Sequence, residues 1–143
     1  MKKLSIILSC SSVIISACYA DNTAQQNVKE ATKVLQNIDL SEKIPTSQGS
    51  ELTLLKISNK CRLTYNVYGE TGQEEYNFDF KKSKIINSSY YSYDYKPNED
   101  GIIDLANLKD SDFILVKKGN ANLSKFIELR KYLNKNIVLK NCN

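Results

Sequence analysis

Two alternating runs around one turn decide the fold, and both lie within residues 61–81, CRLTYNVYGETGQEEYNFDFK. Apolar residues stand at every second position from Cys61 to Val67 and again from Tyr76 to Phe80. That period is typical of strands with one buried face and one solvent-exposed face. Residues 70–73, Glu-Thr-Gly-Gln, predict a turn between the runs, so the two strands are expected to pair antiparallel.

The neighbouring segments extend this pair to a four-stranded meander. Residues 51–57 are apolar at Leu52, Leu54 and Leu55, and Asn59-Lys60 predicts a turn into the next strand. On the other side, Lys82-Ser83-Lys84 predicts a turn into a strand over residues 85–95. Strands joined by turns this short form an antiparallel sheet that can face water on one side.

A helix is predicted before the meander, over residues 23–43. Thr23 and Gln26 have the form of a capping box. Apolar residues then recur at spacings of three and four and make one helical stripe. We expect this stripe to pack on the chain's own sheet. A partner helix is the alternative, but two heptads are fewer than the three or four that a coiled coil needs.

The second half of the chain predicts shorter, mixed elements. These are a short helix over residues 103–109, a strand over 113–118, a helix over 122–134 and a final strand over 137–139. The fold class is therefore α+β, with an N-terminal helix, a four-stranded antiparallel meander, and a strand-helix-strand unit packed on the same sheet.

The N-terminus predicts a secretory signal peptide over residues 1–20. Met1-Lys2-Lys3 is basic, residues 4–15 are mostly apolar, and small residues follow. The apolar part is too short for a comfortable membrane span. We therefore expect an exported chain, periplasmic or otherwise in the cell envelope, with residues 21–143 as a single small domain.

Two processing routes are open for this leader. Ile15-Ser16-Ala17-Cys18 resembles the lipobox of bacterial lipoproteins, which implies cleavage before Cys18 and a lipid on its thiol. Alternatively, cleavage after Ala20 releases a free protein, because small residues then stand at −3 and −1. Membrane contact is expected only through a lipid on Cys18.

Cysteine usage agrees with export. Cys10 and Cys18 belong to the leader or its lipid site, which leaves Cys61 and Cys142 to form one disulfide in an oxidising compartment. A reactive redox pair is the alternative, but the Cys-x-x-Cys spacing of such pairs is missing.

Composition argues against several function classes. The 143 residues include no His, which removes Ser-His-Asp and Cys-His catalysis and His-ligated zinc. The 20 basic and 16 acidic residues become nearly balanced once Lys2 and Lys3 leave with the leader. Arg62 and Arg130 are the only arginines, so nucleic-acid binding is not expected. The carboxylates are scattered, so we predict no enzyme activity, no catalytic residues and no cofactor.

The loop Asn98-Glu99-Asp100-Gly101-Ile102-Ile103-Asp104 resembles the central part of an EF-hand or dockerin calcium loop. The first ligand position is Lys96 and the twelfth is Asn107, where calcium loops have acids. A polar turn built on Asn side-chain hydrogen bonds explains the same residues, and no metal site is predicted.

Tyrosines on the last meander strand are candidates for a binding surface. Tyr91, Tyr93 and Tyr95 share one strand face and Tyr90 points to the other. Tyrosine is enriched at recognition surfaces but is also a common strand residue that covers a sheet under a helix, and we expect the row to pack in this second way. If the row of three is buried, the opposite face becomes the better candidate. We assign that face Tyr68, Asn77, Asp79 and Tyr90.

Contact is the function that these features favour. The leading hypothesis is an exported, non-catalytic envelope protein that binds another protein, with an inhibitor or immunity-type factor as the specific case. A lipid-anchored structural or assembly accessory of the envelope is the alternative. A module for a small ligand or a sugar is the third reading.

Overall fold

Six consecutive strands form one antiparallel sheet in a computed structural model that describes residues 32–45 and 48–143. Each strand pairs with its neighbours in the chain, so the spatial order is the chain order. The strands are β1 (Thr32–Asp39), β2 (Ser50–Ile57), β3 (Lys60–Tyr68), β4 (Gly72–Lys81), β5 (Lys84–Tyr95) and β6 (Phe113–Gly119). The four predicted meander strands and the predicted strand over 113–118 are confirmed, as β2 to β6.

Short helices follow the sheet. They are α1 (Leu123–Leu129) and α2 (Lys135–Asn141), with a 3-10 turn at Arg130–Tyr132 between them. Asn122 caps α1 by accepting a hydrogen bond from the Ser124 amide, and Asn134 caps α2 in the same way. We call α1, the 3-10 turn and α2 together the helical layer, because they cover one face of the sheet.

The core lies between the helical layer and the sheet. Phe126 of α1 packs against Phe78 and Phe80 of β4, with ring centroids 5.3 and 5.2 Å apart. Leu63 and Leu129 are fully buried in the same cluster. Alternate residues of the central strands therefore point their apolar side chains toward the helical layer, as the sequence predicts.

The predicted disulfide is confirmed. Cys61 of β3 and Cys142, the residue after α2, are joined at an S–S distance of 2.01 Å, and both are fully buried. The bond closes a separation of 81 residues and fixes the end of the helical layer to the centre of the sheet.

The predicted N-terminal helix is wrong over Thr32–Asp39, which is the edge strand β1. Residues 40–43, the end of that prediction, form a turn rather than a helix, and residues 23–31 lie outside the described residues. A bulge between Val34 and Gln36 shifts the register, so Leu35 and Ile38 both pack against the core although they are three apart. Pairing with β2 outweighs the helical spacing of the apolar residues.

Two predictions in the second half are also wrong. Residues 137–139, predicted as a strand, lie in α2, and residues 103–109 form no helix; a 3-10 turn lies at Asp110–Asp112 instead. An Asn134 cap and the burial of Val138 and Cys142, four residues apart, favour the helix over the local apolar run. The predicted helix over 122–134 is confirmed as α1 with its 3-10 extension. The fold is α+β: an antiparallel sheet of six strands with two short C-terminal helices on one face.

Candidate binding surface

The open face is the side of the sheet opposite the helical layer. Residues that pair across an antiparallel sheet point to the same side, so the open face forms rows across β3 to β6. Its two central rows are Asn66–Glu75–Tyr91–Lys118 and Tyr68–Gln73–Tyr93–Leu115.

The predicted surface residues divide between the two faces differently from the expectation. The open face holds Tyr68, Asn77, Asp79, Tyr91, Tyr93 and Tyr95. Tyr90 lies on the covered face, where it pairs with Tyr76 and their rings are 4.8 Å apart. The assignment of Tyr90 to the face of Tyr68, Asn77 and Asp79 is therefore wrong, because alternation orders residues within one strand but does not fix the register between strands.

An aromatic row runs along the open face at β5 and β6. The rings of Tyr91 and Tyr93 stack with centroids 6.1 Å apart and planes at 23°. Phe113 makes edge contacts with Tyr93 at 6.2 Å and with Tyr95 at 5.5 Å. Tyr95 is buried, whereas Tyr91 and Tyr93 are half-buried. The row therefore presents aromatic surface that its neighbours already hold in place.

Polar side chains stand beside the aromatic row. The Thr64 hydroxyl donates to the Asn77 side-chain oxygen at 2.8 Å, and the Asn77 amide donates to Glu75. The Lys118 ammonium lies 5.7 Å from the centroid of the Tyr91 ring. Glu75, Asn77, Tyr91 and Lys118 border an open cleft of about 730 Å³ at the end of β6.

Tyrosine ionisation on this face is suppressed. Burial raises the pKa of Tyr93, and the negative charge of Glu75 raises it further. Burial and the Glu51 carboxylate, which accepts a hydrogen bond from the hydroxyl at 3.2 Å, likewise raise the pKa of Tyr68. Both phenols are therefore neutral hydrogen-bonding groups at physiological pH.

Asp79 anchors an ion cluster at one end of the open face. Its carboxylate is 4% exposed and accepts from Arg62 Nε at 2.6 Å, Arg62 Nη2 at 3.0 Å and Lys60 Nζ at 2.9 Å. Burial alone would raise the pKa of Asp79, but hydrogen bonds and charge from Arg62 and Lys60 outweigh it and lower the pKa. Asp79 is thus committed to structural pairing and offers little to a ligand.

Tyr90 takes part in a different arrangement on the covered face. Its hydroxyl donates to Glu74 at 2.8 Å, and the Tyr76 hydroxyl donates to the same carboxylate at 2.8 Å. Burial and then the Glu74 contact raise the pKa of both tyrosines. This trio ties β4 to β5, so the Tyr90 hydroxyl, predicted as part of a binding surface, is used in a contact within the sheet.

The edge strand β6 presents apolar side chains. Ile114, Leu115 and Val116 are 50%, 51% and 58% exposed. Among the described residues β6 pairs with β5 alone, and a shift in that pairing leaves Val116 without a cross-strand partner. Such an edge can accept an added strand, while the bulge and the lysines at its end limit indiscriminate pairing.

The loop that resembles part of a calcium site has a hydrogen-bonded turn. Asn98 Oδ1 accepts from the amides of Asp100 and Ile102, at 3.0 and 2.8 Å. Asp104 Oδ1 accepts from the Ala106 amide in a second local turn. Asn98 and Asp104 thus act as turn residues, as the polar-turn interpretation predicts.

Within the described ranges, no cluster of three or more Cys, Asp, Glu or His is placed to hold a metal ion. Over the same part of the chain, none of the helices has the length and apolar character needed to cross a membrane. The disulfide fits the predicted export to an oxidising compartment.

The open face includes residues that sequence reasoning did not select: Thr64, Asn66, Glu75, Leu115 and Lys118. The alternation around Cys61 could have identified Thr64 and Asn66, because they stand between residues of the buried row. Leu115 and Lys118 have no such signal, since their position depends on how β6 pairs with β5.

Comparison with protein-family models, with curated protein sequences and with solved structures gives no match for this chain.

Proposed function

We propose that this chain is a non-catalytic protein-binding domain of the cell envelope and that it contacts its partner through the open face. The half-buried row of Tyr91 and Tyr93, next to exposed Leu115, carries the proposal. Aromatic side chains are enriched in protein interfaces because they supply large contact area at low entropic cost.

The surroundings of the row support the same conclusion. Ring contacts with Phe113 hold Tyr93 in place before binding, which lowers the entropy lost in the complex. Glu75, Asn77 and Lys118 supply hydrogen-bonding and charged groups around it, like the polar rim of an interface. The disulfide and the helical layer stiffen the sheet from behind. An inhibitor or immunity-type factor would use such a preformed face to cover a site on its target.

Site-specific photocrosslinking in the producing cell tests this proposal. A photoreactive residue replaces Tyr93 or Leu115, and the same residue replaces Ile102, a loop residue that is 61% exposed, as the matched control. We expect both open-face positions to give one discrete crosslinked band of the same partner and Ile102 to give none. Identical band patterns at all three positions would contradict the proposal.

A further inference from the structure

The net positive charge of the chain is concentrated in the helical layer and the residues beside it. Residues 121–143 carry five basic side chains and one acidic side chain. Over residues 32–120, by contrast, 12 basic side chains face 13 acidic ones. Glu128, the single acid of the C-terminal segment, is already paired with Lys125 at 3.2 Å. The helical layer therefore carries a net positive charge.

An apolar groove lies within this basic region. It has a volume of about 400 Å³ between α1 and α2, with Leu133 and Val138 buried and Ile127 and Leu139 55% and 61% exposed. Its other lining residues are Arg130, Lys131 and Lys135, so none of the described residues that line it is acidic. We call these seven residues the basic groove.

We propose that the basic groove docks on an anionic lipid bilayer. Ile127 and Leu139 enter the boundary between headgroups and acyl chains, and Lys131, Lys135 and the adjacent Lys140 contact lipid phosphates. Exposed apolar side chains ringed by lysines have the composition of interfacial membrane-binding surfaces. Each lysine near such a surface is attracted by its negative potential.

The exposed cations at the basic groove are lysines, and this favours lipid over an acidic protein as the occupant. Protein interfaces are enriched in arginine and depleted in lysine. Arg130 is held over the rings of Phe80 and Phe126, 5.7 and 5.4 Å from their centroids, so its guanidinium serves the core. Lys131, Lys135 and Lys140 are exposed. Flexible ammonium groups suit a fluid surface whose phosphates are not fixed in position.

This surface is independent of the open face, since the two lie on opposite sides of the sheet. Docked through the basic groove, the domain would present Tyr91 and Tyr93 away from the bilayer. It also differs from anchoring through Cys18, because it requires anionic lipid and fails at high salt.

Vesicle flotation tests the proposal. The chain carries Cys18→Ser so that no thiol-linked lipid contributes, and the fraction whose N-terminus mass spectrometry places after Ala20 is used, so that no leader contributes. We expect binding to vesicles of phosphatidylglycerol and phosphatidylcholine, and at least about tenfold weaker binding to phosphatidylcholine alone or in 0.5 M salt. Equal binding to both vesicle types would overturn the proposal.

Charge reversal identifies the surface. Lys131→Glu with Lys135→Glu should weaken binding to the anionic vesicles at least about tenfold, whereas Lys96→Glu with Lys109→Glu, two exposed loop lysines outside the basic groove, should change it less than about threefold. Ile127→Ser with Leu139→Ser tests the apolar contact and should also weaken binding. Each variant is checked for an unchanged unfolding midpoint.

Two further outcomes distinguish the lipid proposal from the proposed function of the open face. If no vesicles are bound, the lipid proposal is wrong, and a crosslink to a protein from a photoreactive residue at Ile127 would then identify the basic groove as a protein interface. If vesicle binding is as expected while Tyr93 and Leu115 give no crosslinks, the lipid proposal stands and the proposed function of the open face fails.

Discussion

Along β3, Leu63 and Tyr65 are buried under the helical layer, whereas Arg62 and Thr64, one residue away, are half-buried on the open face. The covered face is closed by apolar packing and the disulfide. The open face has the same backbone but carries tyrosines, amides and charges. The apolar packing that stabilises the fold lies on one face, and the proposed function assigns recognition to the other. Substitutions on the two faces should therefore separate these properties.

The disulfide should give the largest effect. We expect Cys61→Ala with Cys142→Ala to lower the free energy of unfolding by about 4 kcal/mol, because the bond restricts a loop of 81 residues in the unfolded chain. Denaturant unfolding measures the change. A reductant should destabilise the unsubstituted protein and leave the double variant unchanged. A loss below about 1 kcal/mol would show that the helical layer holds without the bond.

Truncating one aromatic ring on each face compares the two directly. Phe126→Ala should cost about 3–4 kcal/mol of stability, since Phe126 is 2% exposed and contacts both Phe78 and Phe80. Tyr93→Ala should cost about 1 kcal/mol or less and abolish crosslinking from position 115. Denaturant unfolding and the crosslinking assay measure the two effects. A Tyr93→Ala protein as unstable as the Phe126→Ala protein would mean that the tyrosine row is part of the core.

The sequence predicts the covered face well and the open face incompletely, for a physical reason. Burial imposes a period of two on β3 and β4, and that period is visible in the residues from Cys61 to Phe80. Which residues of different strands lie side by side depends on register, and bulges at β4–β5 and β5–β6 shift it. For Tyr90 the pairing itself decides: it lies opposite Tyr76 on the covered face, so the prediction gives Tyr90 the wrong neighbours although its position within β5 is correct.

Local patterns also fail where tertiary contacts compete with them. The run Ile137-Val138-Leu139 has strand-forming residues, yet a capped helix brings Val138 and Cys142 to the same buried side. Thr32–Asp39 has helical spacing, yet it completes the sheet beside β2. In both segments the partner surface decides the structure, and that surface is not encoded within the segment itself.

The Asp79 cluster should give an intermediate effect that depends on pH. Asp79→Asn leaves Arg62 and Lys60 without their carboxylate, but both cations reach solvent, so we expect a loss of about 1–2 kcal/mol at neutral pH. Because folding lowers the pKa of Asp79, its contribution is present above the unfolded pKa of about 4 and is lost as the pH falls through the folded pKa.

The pH profile is the specific test of that cluster. Unfolding free energies of the original and Asp79→Asn proteins should differ most near pH 7 and converge below about pH 4. Asp94→Asn, an exposed carboxylate on β5, is the matched control and should change stability little at any pH. A constant gap across the whole range would assign the Asp79 effect to packing rather than to charge.

The smallest expected effect contrasts adjacent tyrosines on opposite faces. Tyr90→Phe removes a hydrogen bond to Glu74 on the covered face, and we expect a loss of about 0.5–1 kcal/mol because Tyr76 still satisfies that carboxylate. Tyr91→Phe keeps the ring stacked on Tyr93 and should leave stability unchanged within about 0.3 kcal/mol while weakening partner crosslinking from position 115. The opposite order of stability losses would mean that the open face, rather than the covered one, holds β5 in the sheet.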